Sequence, residues 1–347
     1  TTTELATSNT TDYLQALRAL NVLPATEYPR ATTEMPIIIQ VIKGLIEKNH
    51  AYPSNGDVYY HVRSKEDYGK LSGHNINDLQ SGARIPQGEM KKDPLDFALW
   101  KQAKPGEPAW ESPWGKGRPG WHIECSAMAI NALGQNIDIH GGGADLIFPH
   151  HENEIAQSEA FTGKAPFARF WIHNALLQLG DDKMSKSSGN LISIDEVLQH
   201  TNADGLRLFV ASSHYRSPIN YTPEALEAAS TGAERLRSAS LLQEVSVSGP
   251  PLVVNDEQKK FRAALDDDLN TPKAVAVLFD LARAINRAHD KNQPFKEAQE
   301  LLYELASVLG FTLTGPESIT HDVKPFQVLL QETGGDTNIK QEKDLPK

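Results

Sequence analysis

The sequence predicts an α/β protein in which a parallel sheet is followed by an all-helical domain. Residues 121–220 alternate short apolar strands with helical patterns, which is typical of a parallel sheet covered by helices. After Thr222 and Pro223 the apolar residues repeat with the period of helices alone. The length of 347 residues is sufficient for about two domains. We therefore predict a first domain over residues 1–220 and a helical bundle over residues 221–325.

The composition excludes several classes of protein. Hydrophobic residues make up 39% and charged residues 23%, and no apolar run approaches the roughly 20 residues of a membrane-spanning helix. A single cysteine, Cys125, excludes an internal disulfide and indicates a reducing, cytoplasmic location. The 34 Lys and Arg against 45 Asp and Glu give a net charge of −11, which does not indicate nucleic-acid binding. Any RNA would have to bind at a local basic patch.

Before the predicted sheet, the sequence indicates helices, a hairpin and an insertion. The segment TDYLQALRAL has a helical pattern, and residues 33–48 predict a second helix whose apolar face consists of Ile38, Val41, Ile42 and Leu45. Asn55 and Gly56 supply the turn of a β-hairpin. Residues 63–120 are rich in Gly, Pro and Lys, so we predict an irregular insertion at about residues 50–120.

Within and after the predicted sheet, the elements follow from apolar periodicity. NIDIHGGG has the pattern of a strand that ends in a glycine turn, and ARFWIHNALLQL that of one buried strand. A helix between them is predicted to begin near Pro149 and to end before Gly163. Three helices of the second domain are predicted in TPEALEAASTGAERLRSASLLQEV, NTPKAVAVLFDLARAINRA and PFKEAQELLYELASVLG. Residues 326–347 are polar and predict a solvated tail.

Cys125 and the segment FPHHENE supply thiol, imidazole and carboxylate groups, which are the kinds of side chain that bind zinc in proteins. On a helix, residues four apart share a face, so that His150 and Glu154 can converge on one ion, with Cys125 supplied by another segment. His151 and Glu154, three apart, are the competing pair. The alternative is that HHENE is a solvated helix face and Cys125 a small core residue, because no paired CxxC spacing is present.

Two further segments contain groups suited to phosphate and ribose. In DDKMSKSSGN, Lys183 and Lys186 can neutralise charge that develops on phosphate, although such a loop is more commonly a solvated surface turn. In HGGGAD, glycines up to Gly143 let a ligand approach the backbone, and Asp145 can accept hydrogen bonds from ribose hydroxyls. HGGGAD does not match the GxGxxG pattern of dinucleotide-binding turns.

Five segments together carry a family resemblance. These are GRPGWHIECSAM, DIHGGGADLIFPHHENEIAQSEAFTG, DKMSKSSGN, LFVASSHYRSPINY and DDDLNTP. In this order they resemble the bacterial-type cysteinyl-tRNA synthetases, a family of class I aminoacyl-tRNA synthetases. The resemblance extends from about residue 11 to about residue 320.

The resemblance implies a Rossmann-like catalytic domain with an inserted connective region, followed by a helical domain that helps to bind tRNA. It implies that ATP, accompanied by Mg²⁺, and cysteine form cysteinyl-adenylate, and that the cysteinyl group then passes to the terminal adenosine of tRNA(Cys). It also implies one Zn²⁺ per chain, held by Cys125, His150 and Glu154. Members of the family are expected here to be monomeric, cytoplasmic enzymes.

The resemblance also assigns roles to single residues. Lys186, the second lysine of KMSKS, contacts ATP, and Lys183 assists with pyrophosphate. Trp121 and His140 line the amino-acid pocket. Zinc would explain substrate choice, because an apolar pocket separates cysteine from serine poorly, whereas zinc binds a thiolate far better than an alcohol. Coordination would also lower the pKa of the substrate thiol.

Two features of the family are missing from the sequence. No histidine opens an HxGH motif, and the additional zinc-binding cysteine that accompanies this region in the family is absent. We therefore expect the chain to be a fragment that lacks the first nucleotide-binding strand and helix, and to be inactive on its own. An incomplete sheet with an exposed edge is also expected to aggregate.

Three alternative functions remain open. A related ligase would join activated cysteine to an amino sugar, and charging of tRNA by the parent protein would separate the two ligases. A zinc hydrolase would use Cys125, His150 and Glu154 as ligands with Glu152 as general base, and would act without ATP. A non-catalytic zinc-stabilised fragment would bind zinc yet show no ATP–pyrophosphate exchange.

Overall fold

The computed structural model describes residues 1–76, 78, 90–179, 182–183 and 192–313. The chain forms two compact units. One consists of Glu27–Asn174, and the other joins Thr1–Thr26 to the chain from Ala175 onward. Within the described residues, no helix combines the length and the apolar character needed to cross a bilayer. The predicted functional boundary near residue 220 stays a prediction.

The described elements are ten helices and nine strands. The helices are α1 (Thr2–Ala19), α2 (Met35–Glu47), α3 (Trp121–Leu133), α4 (Glu152–Thr162), α5 (Ile194–Leu198), α6 (Ala203–Ala211), α7 (Pro223–Ser240), α8 (Glu257–Asp266), α9 (Thr271–Asp290) and α10 (Lys296–Val308). The strands are β1 (Ala51–Ser54), β2 (Asp57–Tyr60), β3 (Phe97–Gln102), β4 (Gly117–Pro119), β5 (Ile137–Gly143), β6 (Ala168–Asn174), β7 (Leu177–Leu179), β8 (Asp182–Lys183) and β9 (Ile219–Tyr221).

An antiparallel sheet in the order β1-β2-β3-β4 lies beside helix α2 in the unit Glu27–Asn174. The predicted hairpin is confirmed, and Asn55 and Gly56 form its turn with φ of 51° and 86°. The predicted helix and its apolar face are also confirmed, since all four residues of that face are fully buried. The predicted insertion, expected to contain few regular elements, includes the two short strands β3 and β4. Leu99 and Trp100 of β3 are fully buried, and this tertiary burial outweighs the turn-forming composition around them.

The predicted strand ARFWIHNALLQL is two strands in two sheets. β6 pairs in parallel with β5, whereas β7 pairs in parallel with β9 and antiparallel with β8. The backbone N–H of Ala175, between β6 and β7, donates to the carbonyl oxygen of Tyr215 at 2.7 Å. On the β5–β6 pair, Ile139 lies opposite Phe170, and these side chains are 60% and 61% exposed. Among the described residues, nothing covers this one apolar pair, whereas the neighbouring pair Ile137 and Ala168 is buried.

Helices α6 to α10 of the other unit contribute to one large apolar core, and Val197, Phe209 and Leu226 form a smaller one. The three predicted helices are confirmed as α7, α9 and α10, and α8 adds a fourth that the sequence analysis did not identify. Leu278, Leu281 and Ile285 of α9 are fully buried in the core. The predicted alternation of strands and helices followed by helices alone is therefore borne out.

A single arginine of α6 binds the carboxyl ends of α1 and α10. The Arg207 guanidinium donates to the carbonyl oxygens of Leu20 (2.5 Å), Asn21 (2.7 Å) and Leu309 (2.9 Å). These carbonyls follow the last turns of the two helices, where a cation is favoured by the helix dipole. Burial lowers the pKa of Arg207 from its ordinary value.

We predict that Arg207→Leu lowers the free energy of unfolding by about 2–4 kcal/mol, because charge-assisted hydrogen bonds are lost and partly buried carbonyls lose their donor. The measurement is urea denaturation followed by circular dichroism. Arg262→Leu, at an arginine whose side chain is 85% exposed, is the matched control and should change the value by less than about 0.5 kcal/mol. Equal effects of the two substitutions would contradict the role given to Arg207.

Candidate metal centre

Three segments of the unit Glu27–Asn174 bring histidine, cysteine and glutamate side chains together. Cys125 lies on α3, which begins directly after the extended residue Gly120. His140 lies on β5, and Glu154 lies in the first turn of α4. The structure thus joins residues that are almost 30 positions apart in the chain.

The chain becomes helical near Pro149, as predicted, and regular α-helix starts at Glu152. Residues Ile147–His151 form a separate wide helical turn, in which Phe148 has an extended backbone (φ −137°, ψ 132°). The residue before a proline is disfavoured in the helical region, and this explains the break. Because regular helix resumes by Glu152, His150 and Glu154 still lie one turn apart on the same side.

The carboxylate of Glu154 lies between two imidazoles. Its Oε1 is 2.6 Å from Nε2 of His150, and its Oε2 is 2.7 Å from Nε2 of His140. Cys125, His150 and Glu154 each offer one ligand atom, and these atoms lie within 4.8 Å of one another. A second group with the same spacing consists of His140, His151 and Glu154. Glu154 therefore belongs to both groups, the one with His150 that is favoured and the one with His151 that competes.

Helix α4 is polar yet buried along most of its length. Every residue from Glu152 to Ala160 is buried, including three glutamates. Glu159 is compensated by the ammonium groups of Lys65 (2.9 Å) and Lys70 (2.6 Å). Buried carboxylates require such partners, since desolvation of an unpaired charge is costly.

Glu152 has a different role from the one that the hydrolase alternative gives it. Its Oε2 accepts hydrogen bonds from the backbone N–H groups of Leu71 (3.1 Å) and Ser72 (2.9 Å). A carboxylate that holds two backbone amides in a buried position is a structural acceptor.

The electrostatics of the cluster favour the ionised carboxylate of Glu154. Burial alone would raise the pKa of Glu154, but interactions with His140 and His150 outweigh it and lower the pKa to about 2. Burial, together with nearby His150, lowers the pKa of His122 to about 4. Burial also lowers the pKa of His151 to about 4, although Glu154 acts in the opposite direction. Neutral imidazole and ionised carboxylate are the forms in which these groups bind metals.

The Cys125 thiol is protonated in the absence of a metal. Burial raises its pKa to about 12, and the nearby carboxylates of Glu154 and Glu124 act in the same direction. A thiol of this kind is a poor nucleophile at neutral pH. Coordination to a cation would deprotonate it.

The residues present fit a zinc ion. Among the described residues, the buried atoms Oε2 of Glu154 and Nε2 of His140 have no hydrogen-bond partner, although they approach each other to 2.7 Å. At this separation, ligand atoms of this group could share a cation. Thiolate, imidazole and carboxylate are zinc ligands, and three protein ligands leave a fourth position open for another molecule.

Histidines that the sequence analysis did not single out surround the cluster. Nδ1 of His122 is 2.9 Å from Nδ1 of His150, and Nδ1 of His151 is 2.8 Å from Nε2 of His173. Partners of this kind orient metal-binding imidazoles. A signal was present in the sequence, because five of its 12 histidines fall within residues 122–173: His122, His140, His150, His151 and His173.

The other predicted site residues are distributed as follows. Trp121, the first residue of α3, is 58% exposed and its ring lies 4.3 Å from that of His150. Gly143 ends β5, and Asp145 lies exposed in the short turn that follows. Lys183 ends β8 in the other unit.

Lys186 and most of the KMSKS segment lie outside the described residues. The predicted phosphate-binding roles of the two lysines therefore stay predictions.

Comparison with known proteins decides the family. Residues 1–231 match the family model of the class I (C) tRNA synthetase catalytic domain, and residues 260–314 match the DALR domain. The chain is 51% identical over 348 residues to a cysteine–tRNA ligase of Dehalococcoides mccartyi, covering 98% of this chain and 75% of that protein. The chain belongs to the cysteine–tRNA ligase family.

A second relative and a solved structure agree with this assignment. A cysteine–tRNA ligase of Desulfitobacterium hafniense is 47% identical, with 90% of this chain and 69% of that protein covered. The fold is similar to that of Mycobacterium tuberculosis methionyl-tRNA synthetase in complex with methionyl-adenylate, with a TM-score of 0.56 and 13% identity over 90% of this chain and 76% of the other. At this identity the likeness concerns the fold alone. The resemblance and the Rossmann-like fold class predicted from the sequence are confirmed.

We predict that Gly142→Ala destabilises the protein by about 1–3 kcal/mol, because overpacking forces neighbouring atoms to move. A Cβ at this position would lie 2.8 Å from Cε1 of His151 and 3.0 Å from Cδ1 of Leu146. The adjacent Gly141→Ala is the matched control, because its Cβ would meet only the carbonyl oxygen of Ile172 at 3.5 Å. Urea denaturation of both variants is the measurement, and equal stabilities would show that β5 does not contact His151 closely.

Proposed function

We propose that the protein carrying this chain is a cysteine–tRNA ligase that forms cysteinyl-adenylate from cysteine and ATP and transfers the cysteinyl group to tRNA(Cys). The proposal is carried by the group of Cys125, His150 and Glu154 in a chain that is 51% identical to a cysteine–tRNA ligase over 98% of its length. The ATP is expected to be accompanied by Mg²⁺. A monomeric, cytoplasmic enzyme is part of the proposal.

We further propose that Cys125, His150 and Glu154 hold one Zn²⁺. When bound, zinc supplies an open position that prefers a thiolate to a hydroxyl, which is the difference between cysteine and serine. The chain's own residues prepare that position. Glu154 provides the negative charge, His122 orients the ring of His150, and burial of both ligands keeps water from competing.

Roles for the remaining predicted residues belong to the same proposal. Trp121, whose exposed ring lies over His150, and His140 would flank the amino acid. The backbone at Gly143 and the carboxylate of Asp145 would bind the nucleotide. Lys183 and Lys186 would neutralise negative charge at the pyrophosphate. Residues 1–220 would activate the amino acid, and residues 221–325 would help to bind tRNA.

Two alternatives are separated from this proposal by experiment. A ligase that uses an amino sugar would form cysteinyl-adenylate but would not charge tRNA. A non-catalytic zinc-binding protein would bind the metal and show no ATP–pyrophosphate exchange. The match of residues 260–314 to the DALR domain, together with relatives named cysteine–tRNA ligase, supports the tRNA ligase.

We predict that the purified chain binds one Zn²⁺ and that Cys125→Ser and His150→Gln each weaken zinc binding by more than about 100-fold, since loss of outer-shell partners already costs 10- to 100-fold. Chelator competition measures the affinity. His50→Gln, at a half-buried histidine bonded to Ser64 away from the cluster, is the control and should bind zinc normally. Zinc binding that survives Cys125→Ser but is lost in His151→Gln would assign the metal to the competing group.

We predict that cysteine supports ATP–pyrophosphate exchange by the protein carrying this chain more than about 100-fold better than serine, the limit that an apolar pocket alone can reach. The ratio should fall when zinc is removed by a chelator and return when zinc is restored. Equal exchange with cysteine and serine would refute zinc-based selection. Exchange with cysteine but without charging of tRNA would favour the amino-sugar ligase.

A further inference from the structure

The carboxylate of Glu154 has two oxygens, and the proposed zinc site needs only one of them. Oε1 lies 2.6 Å from Nε2 of His150, a zinc ligand in that proposal, whereas Oε2 lies 2.7 Å from Nε2 of His140. His140, His151 and Glu154 each offer one ligand atom, and these atoms lie within 4.8 Å of one another. These three residues, the second group, share only Glu154 with the proposed zinc site.

The second group is largely buried, and a glycine adjoins one of its imidazoles. Glu154 is 1% exposed and His151 is 2% exposed, so that bulk water has little access to either. Gly142 lies beside His151, and a Cβ at position 142 would approach Nε2 of that imidazole to 3.1 Å. Because glycine has no Cβ, this nitrogen keeps free space beside it.

Neighbouring side chains hold the two imidazoles in place. Nδ1 of His151 lies 2.8 Å from Nε2 of His173, which leaves Nε2 of His151 as its metal-binding nitrogen. The ring of Trp171 meets that of His140 edge-on at 4.8 Å and lies 5.1 Å from that of His151. Contacts around a metal-binding imidazole fix its tautomer and its orientation and limit the access of solvent.

The ligand types indicate which ions the second group selects. It offers two imidazoles and one carboxylate, and no sulfur. This set suits divalent transition-metal ions such as Fe²⁺, Co²⁺ and Zn²⁺, and it leaves positions open around the ion. Ca²⁺ and Mg²⁺ prefer sites made of oxygen ligands, so they fit the second group poorly.

We propose that His140, His151 and Glu154 bind a second divalent transition-metal ion. Glu154 then bridges this ion and zinc through its two oxygens, and the ions of such two-metal sites lie about 3.5–4 Å apart. The second ion binds at least about 100-fold more weakly than zinc, because its site has no thiolate and because two neighbouring cations repel each other. The inference builds on the proposed zinc site without depending on it, since Cys125 and His150 take no part in the second group.

The test titrates the metal-free full chain with Co²⁺, whose absorption spectrum reports its ligands. The first equivalent should produce a charge-transfer band from the sulfur of Cys125 to cobalt. The second equivalent should strengthen the visible bands of cobalt and leave the charge-transfer band unchanged, since the second group contains no sulfur. Magnetic coupling through Glu154 should also reduce the electron paramagnetic resonance signal per cobalt ion once both sites are filled.

Two substitutions remove ligands from the second group alone. His151→Gln and His140→Gln should each weaken binding of the second Co²⁺ by more than about 10-fold and should keep the charge-transfer band of the first. Cys125→Ser should instead remove the charge-transfer band and leave the ligands of the second group in place. His50→Gln, at a half-buried histidine bonded to Ser64 outside both groups, is the matched control and should bind two ions. Circular dichroism checks that each variant keeps the fold.

The outcomes separate the second site from the proposed zinc site. Uptake of a single ion with a charge-transfer band would overturn the second site and leave the zinc site intact. A second ion that both histidine substitutions leave at its original affinity would lie elsewhere, and two ions whose magnetic signals simply add would contradict bridging by Glu154. Uptake of two ions, neither with a charge-transfer band, would support the second site and count against Cys125 as a ligand of zinc.

Discussion

The buried carboxylate of Glu154 is the constraint on which this part of the structure depends. It has two imidazoles within 2.7 Å, is almost fully buried and stays ionised because His140 and His150 stabilise the anion. An unpaired carboxylate at this position would cost several kcal/mol. Helices α3 and α4 and strand β5 must therefore keep their mutual arrangement, and a thiol on α3 completes a set of ligands suited to zinc.

The same helix also organises its surroundings through acceptors away from the cluster. Glu152 holds the backbone of residues 71–72, Asn153 holds the hydroxyl of Tyr68, and Glu159 holds two lysines. Segment 65–72 is thereby tied to α4 by side chains rather than by regular secondary structure. Because α4 is buried and polar, its hydrogen bonds determine which segments pack against it. Apolar periodicity contributes little to this packing.

Local spacing predicted part of the candidate site, and tertiary structure determined the remainder. The pairing of His150 with Glu154 follows from four-residue helical spacing, and the helical path after Phe148 keeps the two residues on one side. The approach of Cys125 required α3, which the sequence analysis did not identify because its apolar residues form no clear stripe. The contact between His151 and His173 depends on the pairing of β5 with β6, which no local pattern encodes.

The fold was predictable to a similar extent. Helices with a continuous apolar face, such as α2 and α9, were identified, whereas the division of ARFWIHNALLQL into two strands was not. Both halves of that segment have the same apolar character, and only their partners in space distinguish them. Strand β3 was obscured in the same way, since its burial comes from neighbours distant in the chain.

The binding of two helix ends by Arg207 has a consequence for cooperativity. Its guanidinium neutralises the partial negative charge at the C-terminal ends of both α1 and α10. Loosening of either helix therefore removes carbonyl acceptors from the same cation. The two helices, some 290 residues apart in the chain, then share one opening reaction. Their backbone amides would exchange with solvent deuterium at a common free energy, which makes the first and the last described helices a single unit of local unfolding.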